Sequence, residues 1–186
     1  VALRDDVKKA WDVCFHQEKV YCLAALTGIS EPVVIAESRL DALSMPYGST
    51  IVSGQFFSAG NILGIEMILE SGSDFFSAMW LQNTLFQKFA AGLTVSSIWS
   101  GPEGFACVLN SGSPSVGGTI FRMGERYDLP LGFCCLGGAP VDVADGILTV
   151  GLSSVTGKKP LLWKDGKTEE LDVNGYICTV SSVPGK

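Results

Sequence analysis

The side chains best able to do chemistry in this sequence are a single histidine, His16, and six cysteines. Two of the cysteines, Cys14 and Cys22, lie close enough to His16 in the chain to suggest metal ligands. Two thiols and one imidazole at irregular spacing make an incomplete zinc set, however, and the chain has no CxxC pair. We therefore predict no metal site and no cofactor. The cysteines are expected to be reduced, buried thiols of an intracellular protein.

The glycine-rich segment around Cys134 is the strongest candidate for a catalytic site in the sequence. Residues 132–141 read Gly-Phe-Cys-Cys-Leu-Gly-Gly-Ala-Pro-Val, and an Asp145-Gly146 turn follows them. The segment resembles the nucleophile region of chymotrypsin-like proteases, including the viral 3C-like cysteine proteases. That resemblance implies that Cys134 is the nucleophile, that backbone N–H groups around it hold the oxyanion, and that His16 is the general base.

The alternative for this segment is a strand end whose small residues permit close packing of the backbone. We favour this alternative, because Cys135 stands where such proteases carry glycine after the nucleophile. His16 also has too few residues before it to build the strands that precede the histidine in a chymotrypsin-like barrel.

Two carboxylates, Glu66 and Glu70, share a face of either a strand or a helix. Paired carboxylates at a suitable distance can perform acid–base chemistry on a glycoside. The simpler interpretation is a half-buried strand in which both glutamates point outward and Ile65, Met67 and Leu69 point inward. We favour that interpretation.

Charge is distributed very unevenly along the chain. Only Lys88 and Glu103 are charged between Phe75 and Phe121, and residues 43–64 carry no charge. Charged residues make up 17% of the sequence, and the mean hydropathy of +0.32 lies at the apolar edge of the globular range. So few polar side chains predict that part of the surface is covered by another protein.

The same composition excludes several function classes. The net charge of -6 argues against a nucleic-acid-binding face, which needs clustered lysines and arginines. No run approaches the roughly 18 apolar residues of a membrane-spanning helix. The charged N-terminus is unlike a signal peptide, so we expect an intracellular (cytoplasmic) or virion location rather than secretion.

The local patterns predict a mainly β fold in a single domain, residues 1–186. Residues 1–16 are expected to form an amphipathic helical arm, because Val7, Trp11 and Cys14 fall at helical spacing. Short loop helices are predicted at 36–43 and 84–91. Strands are predicted at 20–26, 62–70, 75–82, 93–99, 104–109 and 119–123.

The final third of the chain predicts an antiparallel meander, because Asp145-Gly146, Asp165-Gly166 and Asn174-Gly175 each lie between β-forming runs. No repeat of fixed length is evident. We combine these elements into an antiparallel two-sheet β-sandwich of jelly-roll type, with the N-terminal helix and the short loop helices at its periphery.

These expectations favour a structural assembly protein over an enzyme, in the style of the capsid (coat) proteins of small RNA viruses. Such a subunit would self-associate or bind a protein partner tightly. A cysteine protease using Cys134 and His16 is the first alternative, and a small-ligand-binding β-barrel is the second. The aromatic side chains expected at the interface are Phe75, Phe76, Trp80, Phe86, Phe89 and Trp99.

Overall fold

The computed structural model describes residues 4–101, 104–112, 117–122, 124–136, 141–144 and 146–180. Every regular element in these residues is a β-strand, so the mainly β prediction is confirmed. None of them forms a helix that is long and apolar enough to span a membrane. The chain divides into two compact units, Val1–Ala91 and Gly92–Lys186, which we call unit 1 and unit 2.

Unit 1 contains two four-stranded antiparallel sheets, and in each of them every strand pairs with the next strand along the chain. The first sheet consists of β1 (Val7–His16), β2 (Lys19–Leu26), β3 (Val33–Ala36) and β4 (Arg39–Ala42). The second sheet consists of β5 (Thr50–Ala59), β6 (Ile62–Ser71), β7 (Asp74–Leu81) and β8 (Thr84–Lys88). Because consecutive strands alternate in direction, the β1–β2 and β3–β4 turns lie at the same end of their sheet, and so do the β5–β6 and β7–β8 turns.

Unit 2 is built in the same way, with consecutive antiparallel strands in two sheets. Its first sheet consists of β9 (Leu93–Gly101), β10 (Gly104–Ser111), β11 (Thr119–Arg122) and β12 (Glu125–Asp128). Its second sheet consists of β13 (Phe133–Cys134), β14 (Val141–Ala144), β15 (Ile147–Ser154), β16 (Leu161–Lys164) and β17 (Lys167–Glu170). Both β13 and β14 pair with β15, at opposite ends of that strand.

One hydrogen bond recurs in all four sheets and marks a structural repeat. The residue that follows the last strand of each sheet donates its backbone N–H to a carbonyl in, or just before, the preceding strand, over 2.9 to 3.0 Å. The pairs are Leu43 with Pro32, Phe89 with Ser77, Leu129 with Gly118, and Leu171 with Pro160. The donors recur about every 40 to 46 residues, so the repeat has no fixed length in the sequence.

The core of unit 1 forms from apolar side chains of both of its sheets. Leu23 and Val34 of the first sheet pack with Ile65 and Met67 of the second. Trp80 is fully buried in this cluster, and its indole Nε1 donates to the Ser44 carbonyl at 3.2 Å. Buried indoles normally require such a partner.

The core of unit 2 likewise joins its two sheets. Val108 of β10 and Ile120 of β11 pack with Leu148 and Trp163 of the second sheet. Trp99, one of the predicted interface residues, packs half-buried against this cluster.

The predicted N-terminal helix is wrong, because residues 7–16 form strand β1. The ladder between β1 and β2 has two register shifts, one between Val7 and Lys9 and one between Ala10 and Asp12. Each irregularity inserts an extra residue into the strand, which stretches the spacing of the apolar residues beyond two. The resulting pattern imitates helical periodicity.

The predicted loop helices are also absent. Residues 36–43 include the β3–β4 hairpin, and residues 84–88 form β8. The β7–β8 ladder passes from Met79 opposite Gln87 to Trp80 opposite Leu85, so Phe86 is an extra residue in that strand. This bulge produced the helical spacing of Leu85, Phe86 and Phe89.

The hairpin at 62–82 and the strands within 93–123 are confirmed, apart from Glu103 and Met123, which lie outside the described residues. The β14–β15 and β16–β17 hairpins are confirmed as well. Asn174-Gly175 is not flanked by paired strands, so the third predicted hairpin is wrong. The structure does not confirm a jelly-roll sandwich, since each strand of the three four-stranded sheets pairs with the next strand along the chain, and in the fourth sheet β13 and β14 both pair with β15.

Candidate functional site: a polar cavity at the turn edge of unit 1

A cavity of about 420 Å³ lies at the edge of unit 1 where four turns meet. These are the β1–β2, β3–β4, β5–β6 and β7–β8 turns, all formed between consecutive strands. The volume falls within the range of small-molecule sites. Because rigid ladders end at each of these turns, the side chains around the cavity are held by the two sheets rather than by long loops.

The charges around the cavity are balanced. Two cations, Lys19 and Arg39, face two anions, Glu37 and Asp41. The Arg39 guanidinium Nε lies 2.9 Å from Asp41 Oδ1, and Lys19 Nζ lies 3.7 Å from Glu37 Oε2. The two cations and two anions of the cavity lining therefore balance each other.

Three polar side chains at the cavity have no hydrogen-bond partner among the described residues. They are the phenol of Tyr21 and the carboxamides of Asn61 and Gln82. The neighbouring Asn83 is already engaged, since its Nδ2 donates to Asp41 Oδ2 at 3.0 Å. The three uncommitted groups are available to a ligand.

The β5–β6 turn is tied to the first sheet through its backbone. His16 Nε2 lies 3.2 Å from the Asn61 carbonyl oxygen, and Gln17 Nε2 donates to the same oxygen at 2.8 Å. The rings of His16 and Tyr21 meet edge to face, with centroids 6.3 Å apart. These contacts hold the Asn61 turn beside the aromatic side of the cavity.

Backbone strain is concentrated at this edge. Five turn residues other than glycine adopt a positive φ there: Gln17 (46°), Glu18 (62°), Glu37 (54°), Gln82 (49°) and Asn83 (64°). This conformation is uncommon for residues with a Cβ and is enriched at functional sites. Four of the five line the cavity; Glu18 does not.

The two residues of the protease hypothesis belong to different units. Cys134 lies in unit 2 and His16 in unit 1, where His16 is engaged with Asn61. Burial raises the pKa of the Cys134 thiol, which is the opposite of what a nucleophilic thiolate requires. The Gly137-Gly138-Ala139-Pro140 part of the motif lies outside the described residues.

The backbone next to Cys134 is also occupied. The Cys135 N–H donates to Asn110 Oδ1 at 3.0 Å, and Asn110 Nδ2 donates to the Cys135 carbonyl at 2.7 Å. A proton already shared with Asn110 is not free to stabilise an oxyanion. The described residues 132–136 are thus attached to β10 through the pair of hydrogen bonds between Cys135 and Asn110.

The cysteines are more varied in exposure than the sequence suggested. Cys22, Cys107 and Cys135 are buried, whereas Cys178 is exposed, which corrects the expectation that all six are buried. No group of three His, Cys, Asp or Glu side chains in the described part of the chain is placed to hold a metal ion.

Glu66 is buried, not outward as its strand pattern suggested. Its carboxylate accepts from Ser77 Oγ at 2.6 Å and from Gln55 Nε2 at 3.2 Å. Burial raises the pKa of Glu66, and these two hydrogen bonds oppose the shift. Glu70 is exposed, so the two glutamates differ in environment as well as in position.

The interface candidates of unit 1 divide into core and surface residues. Phe76, Trp80 and Phe89 are buried within the subunit, so they are not available to a partner without unfolding. Phe75 and Phe86 are exposed.

No protein-family model matches this sequence, and no curated protein matches it either. Function is therefore argued from the geometry of the cavity.

Sequence reasoning missed this cavity because its residues come from four separated turns. Only the β5–β6 turn, Gly60-Asn61, contains a glycine. The other three turns lack the glycine dipeptides by which hairpins are usually found.

Proposed function

We propose that this chain is a binding protein whose polar cavity in unit 1 takes a small ligand. The observation that carries the proposal is the convergence of three uncommitted polar groups, on Tyr21, Asn61 and Gln82, in a cavity of ligand size. Polar side chains that converge without satisfying one another are the usual mark of a site that a ligand completes.

The scaffold supports this role. The strands on both sides of each turn are paired over their length, so the turns are held at fixed positions. Preorganised polar groups on rigid elements bind with a smaller entropic cost than groups on mobile loops. Of the functions expected from sequence, this proposal keeps small-ligand binding and replaces the β-barrel with stacked four-stranded sheets.

The proposal is tested by amide chemical-shift mapping of the ¹⁵N-labelled protein with a panel of small polar molecules, neutral and charged. We expect perturbations at the four turns around Gln17, Glu37, Asn61 and Gln82. Perturbations confined to other regions, or none with any member of the panel at millimolar concentration, would show that the cavity is not a ligand site.

A second candidate is self-association, with a capsid (coat) subunit as its most specific form. Strand β1 is at the edge of its sheet, and its side chains Val13 and Phe15 are 55% and 72% exposed. Two exposed apolar side chains two positions apart on one strand can pack against the same pair of a second copy about a twofold axis.

The mass of the particle in solution tests this second candidate. Sedimentation equilibrium should give a multiple of 19.7 kDa for the unmodified chain and the monomer mass for Phe15→Lys. Leu131→Lys, at a position 66% exposed in unit 2, is the matched control and should leave the mass unchanged. A monomer for the unmodified chain at high micromolar concentration contradicts self-association.

A further inference from the structure

We propose that the ligand of the unit 1 cavity is a neutral saccharide of one or two rings. This inference rests on the proposed function, since it concerns the same cavity. It follows from three features of the lining: its charge balance, the kind of hydrogen-bonding groups left open, and the pair of aromatic rings on one side.

Charge balance selects against ionic ligands. Each cation at the cavity is already paired with an anion, Arg39 with Asp41 and Lys19 with Glu37. A phosphate or carboxylate would have to compete with Asp41 or Glu37, and an ammonium group would have to compete with Arg39 or Lys19. A neutral ligand requires no such rearrangement and can still accept from the cations and donate to the anions.

The side chains at the cavity that have no hydrogen-bond partner are suited to bind the hydroxyl groups of a sugar. The Tyr21 hydroxyl is both donor and acceptor, and each of the carboxamides of Asn61 and Gln82 offers two donor protons and one acceptor oxygen. A sugar hydroxyl is also donor and acceptor at once. A ring bearing several hydroxyls can therefore satisfy all three side chains together, which a ligand with acceptors alone cannot do.

The aromatic rings of His16 and Tyr21 are suited to contact the C–H face of a sugar ring. His16 and Tyr21 meet at an interplanar angle of 68°, so their ring faces point in different directions. An aromatic face is electron-rich and attracts the weakly positive C–H groups on one side of a pyranose ring. The cavity thus offers amide and charged groups for the hydroxyls, and rings beside them for the C–H surface.

The test is saturation-transfer NMR on the intact chain with neutral monosaccharides and disaccharides, each matched to a sugar phosphate and an amino sugar of the same ring. We expect transfer from the protein to the neutral sugars, with no gain in affinity for the charged ones. Tyr21→Phe and Gln82→Ala should each weaken binding by a factor of roughly 3 to 10, the value of one lost hydrogen bond.

Glu18→Ala is the matched control, because Glu18 lies in the β1–β2 turn beside Gln17 but does not line the cavity. It should bind as the unmodified chain does. Far-UV circular dichroism of each variant checks that the fold is intact, which matters most for Tyr21→Phe because Tyr21 packs against the unit 1 core cluster.

The outcomes separate the two proposals. Binding of charged molecules at the four turns, without binding of any neutral sugar, overturns the saccharide inference and leaves the cavity as a ligand site. Failure of every molecule, neutral or charged, to perturb the four turns overturns both. Neutral-sugar binding that Tyr21→Phe and Gln82→Ala do not weaken places the ligand elsewhere and also overturns the inference.

Discussion

The hairpin turns of unit 1 and unit 2 reach positive φ angles with different sets of residues. Both units need tight hairpin turns with positive φ angles between consecutive strands. Among the described residues of unit 2, Gly124, Gly146 and Gly166 have φ angles of 97°, 77° and 88°, and Asp165 beside Gly166 has a φ of 38°. Unit 1 uses Gly60 and Gly72 in its β5–β6 and β6–β7 turns, but Gln17, Glu37, Gln82 and their neighbours carry side chains at positive φ in the β1–β2, β3–β4 and β7–β8 turns.

In three turns of unit 1, side chains stand at positions that conformational preference gives to glycine. A residue with a Cβ in the left-handed region costs about 1 to 2 kcal/mol relative to a right-handed one, whereas glycine has almost no such cost. The turns with glycine at positive φ show that glycine can occupy such positions. The proposed binding site accounts for the side chains at the three unit 1 turns, because four of the residues concerned line the cavity.

The largest expected effect is the loss of stability when the hydrogen bonds between the two sheets of a unit are removed. In unit 2, Asn110 makes two hydrogen bonds to the backbone of Cys135, and Asn110→Ala leaves a buried N–H and C=O unpaired. We expect a loss of about 2 to 4 kcal/mol in the free energy of unfolding, measured by urea denaturation.

Asn110→Asp is the control: it keeps the acceptor for the Cys135 N–H but places a carboxyl group beside the Cys135 carbonyl. At a pH low enough for the added carboxyl to be neutral, it should lose less than Asn110→Ala. In unit 1 we compare Asp12, whose Oδ2 accepts from the Phe56 N–H at 2.7 Å and so makes one hydrogen bond between the sheets instead of two. If Asp12→Ala costs more than Asn110→Ala, the comparison of the two joints is wrong.

The second effect tests the glycine turns of unit 2. Gly166→Ala adds a Cβ that meets nothing within 4 Å, so its cost arises from the φ of 88° alone. We expect a loss of roughly 1 kcal/mol or slightly more. Gly112→Ala, also in open space but without a positive φ, should be nearly neutral in the same thermal-unfolding measurement.

The third effect comes from the opposite substitution in unit 1, in which glycine replaces a residue with a side chain at positive φ. Gln82→Gly should raise the stability by up to about 1 kcal/mol, or a few degrees in Tm, while weakening ligand binding at the cavity. Glu18→Gly relieves a similar φ outside the cavity and should raise stability without changing binding. If Gln82→Gly and Glu18→Gly changed binding equally, the side chains that line the cavity would have no specific role in binding.

The smallest expected effect is the pH dependence due to Glu66. A carboxyl group whose pKa is raised on folding stabilises the fold while protonated, and this contribution is lost as the pH rises through the folded-state pKa. The stability of the unmodified chain relative to Glu66→Gln should therefore fall as the pH increases above 4.5, the ordinary value for glutamate.

Unfolding curves of the two proteins at several pH values measure this difference. Glu70→Gln, at an exposed position on the same strand, is the control and should show a smaller pH dependence. A difference between the unmodified chain and Glu66→Gln that does not change with pH would mean that Glu66 has the same pKa in the folded and unfolded states.

The sequence by itself determined the β character of the chain and several of its hairpins. The runs that form β6 and β7, and the Asp165-Gly166 turn between β16 and β17, were predicted at their observed positions. These features depend on local interactions, namely the packing of apolar runs and the φ preference of glycine, which a short stretch of sequence contains in full.

Only the tertiary structure decided the conformation of residues 7–16, the burial of Glu66 and the existence of the cavity. The bulges in β1 occur because β2 imposes its own register, and Glu66 is stabilised by Ser77 and Gln55, each 11 positions away in the chain. The cavity depends on which turns come together at one edge. That is a consequence of how the two sheets of unit 1 pack on each other through apolar side chains that are distant in the chain, for which no local pattern carries a signal.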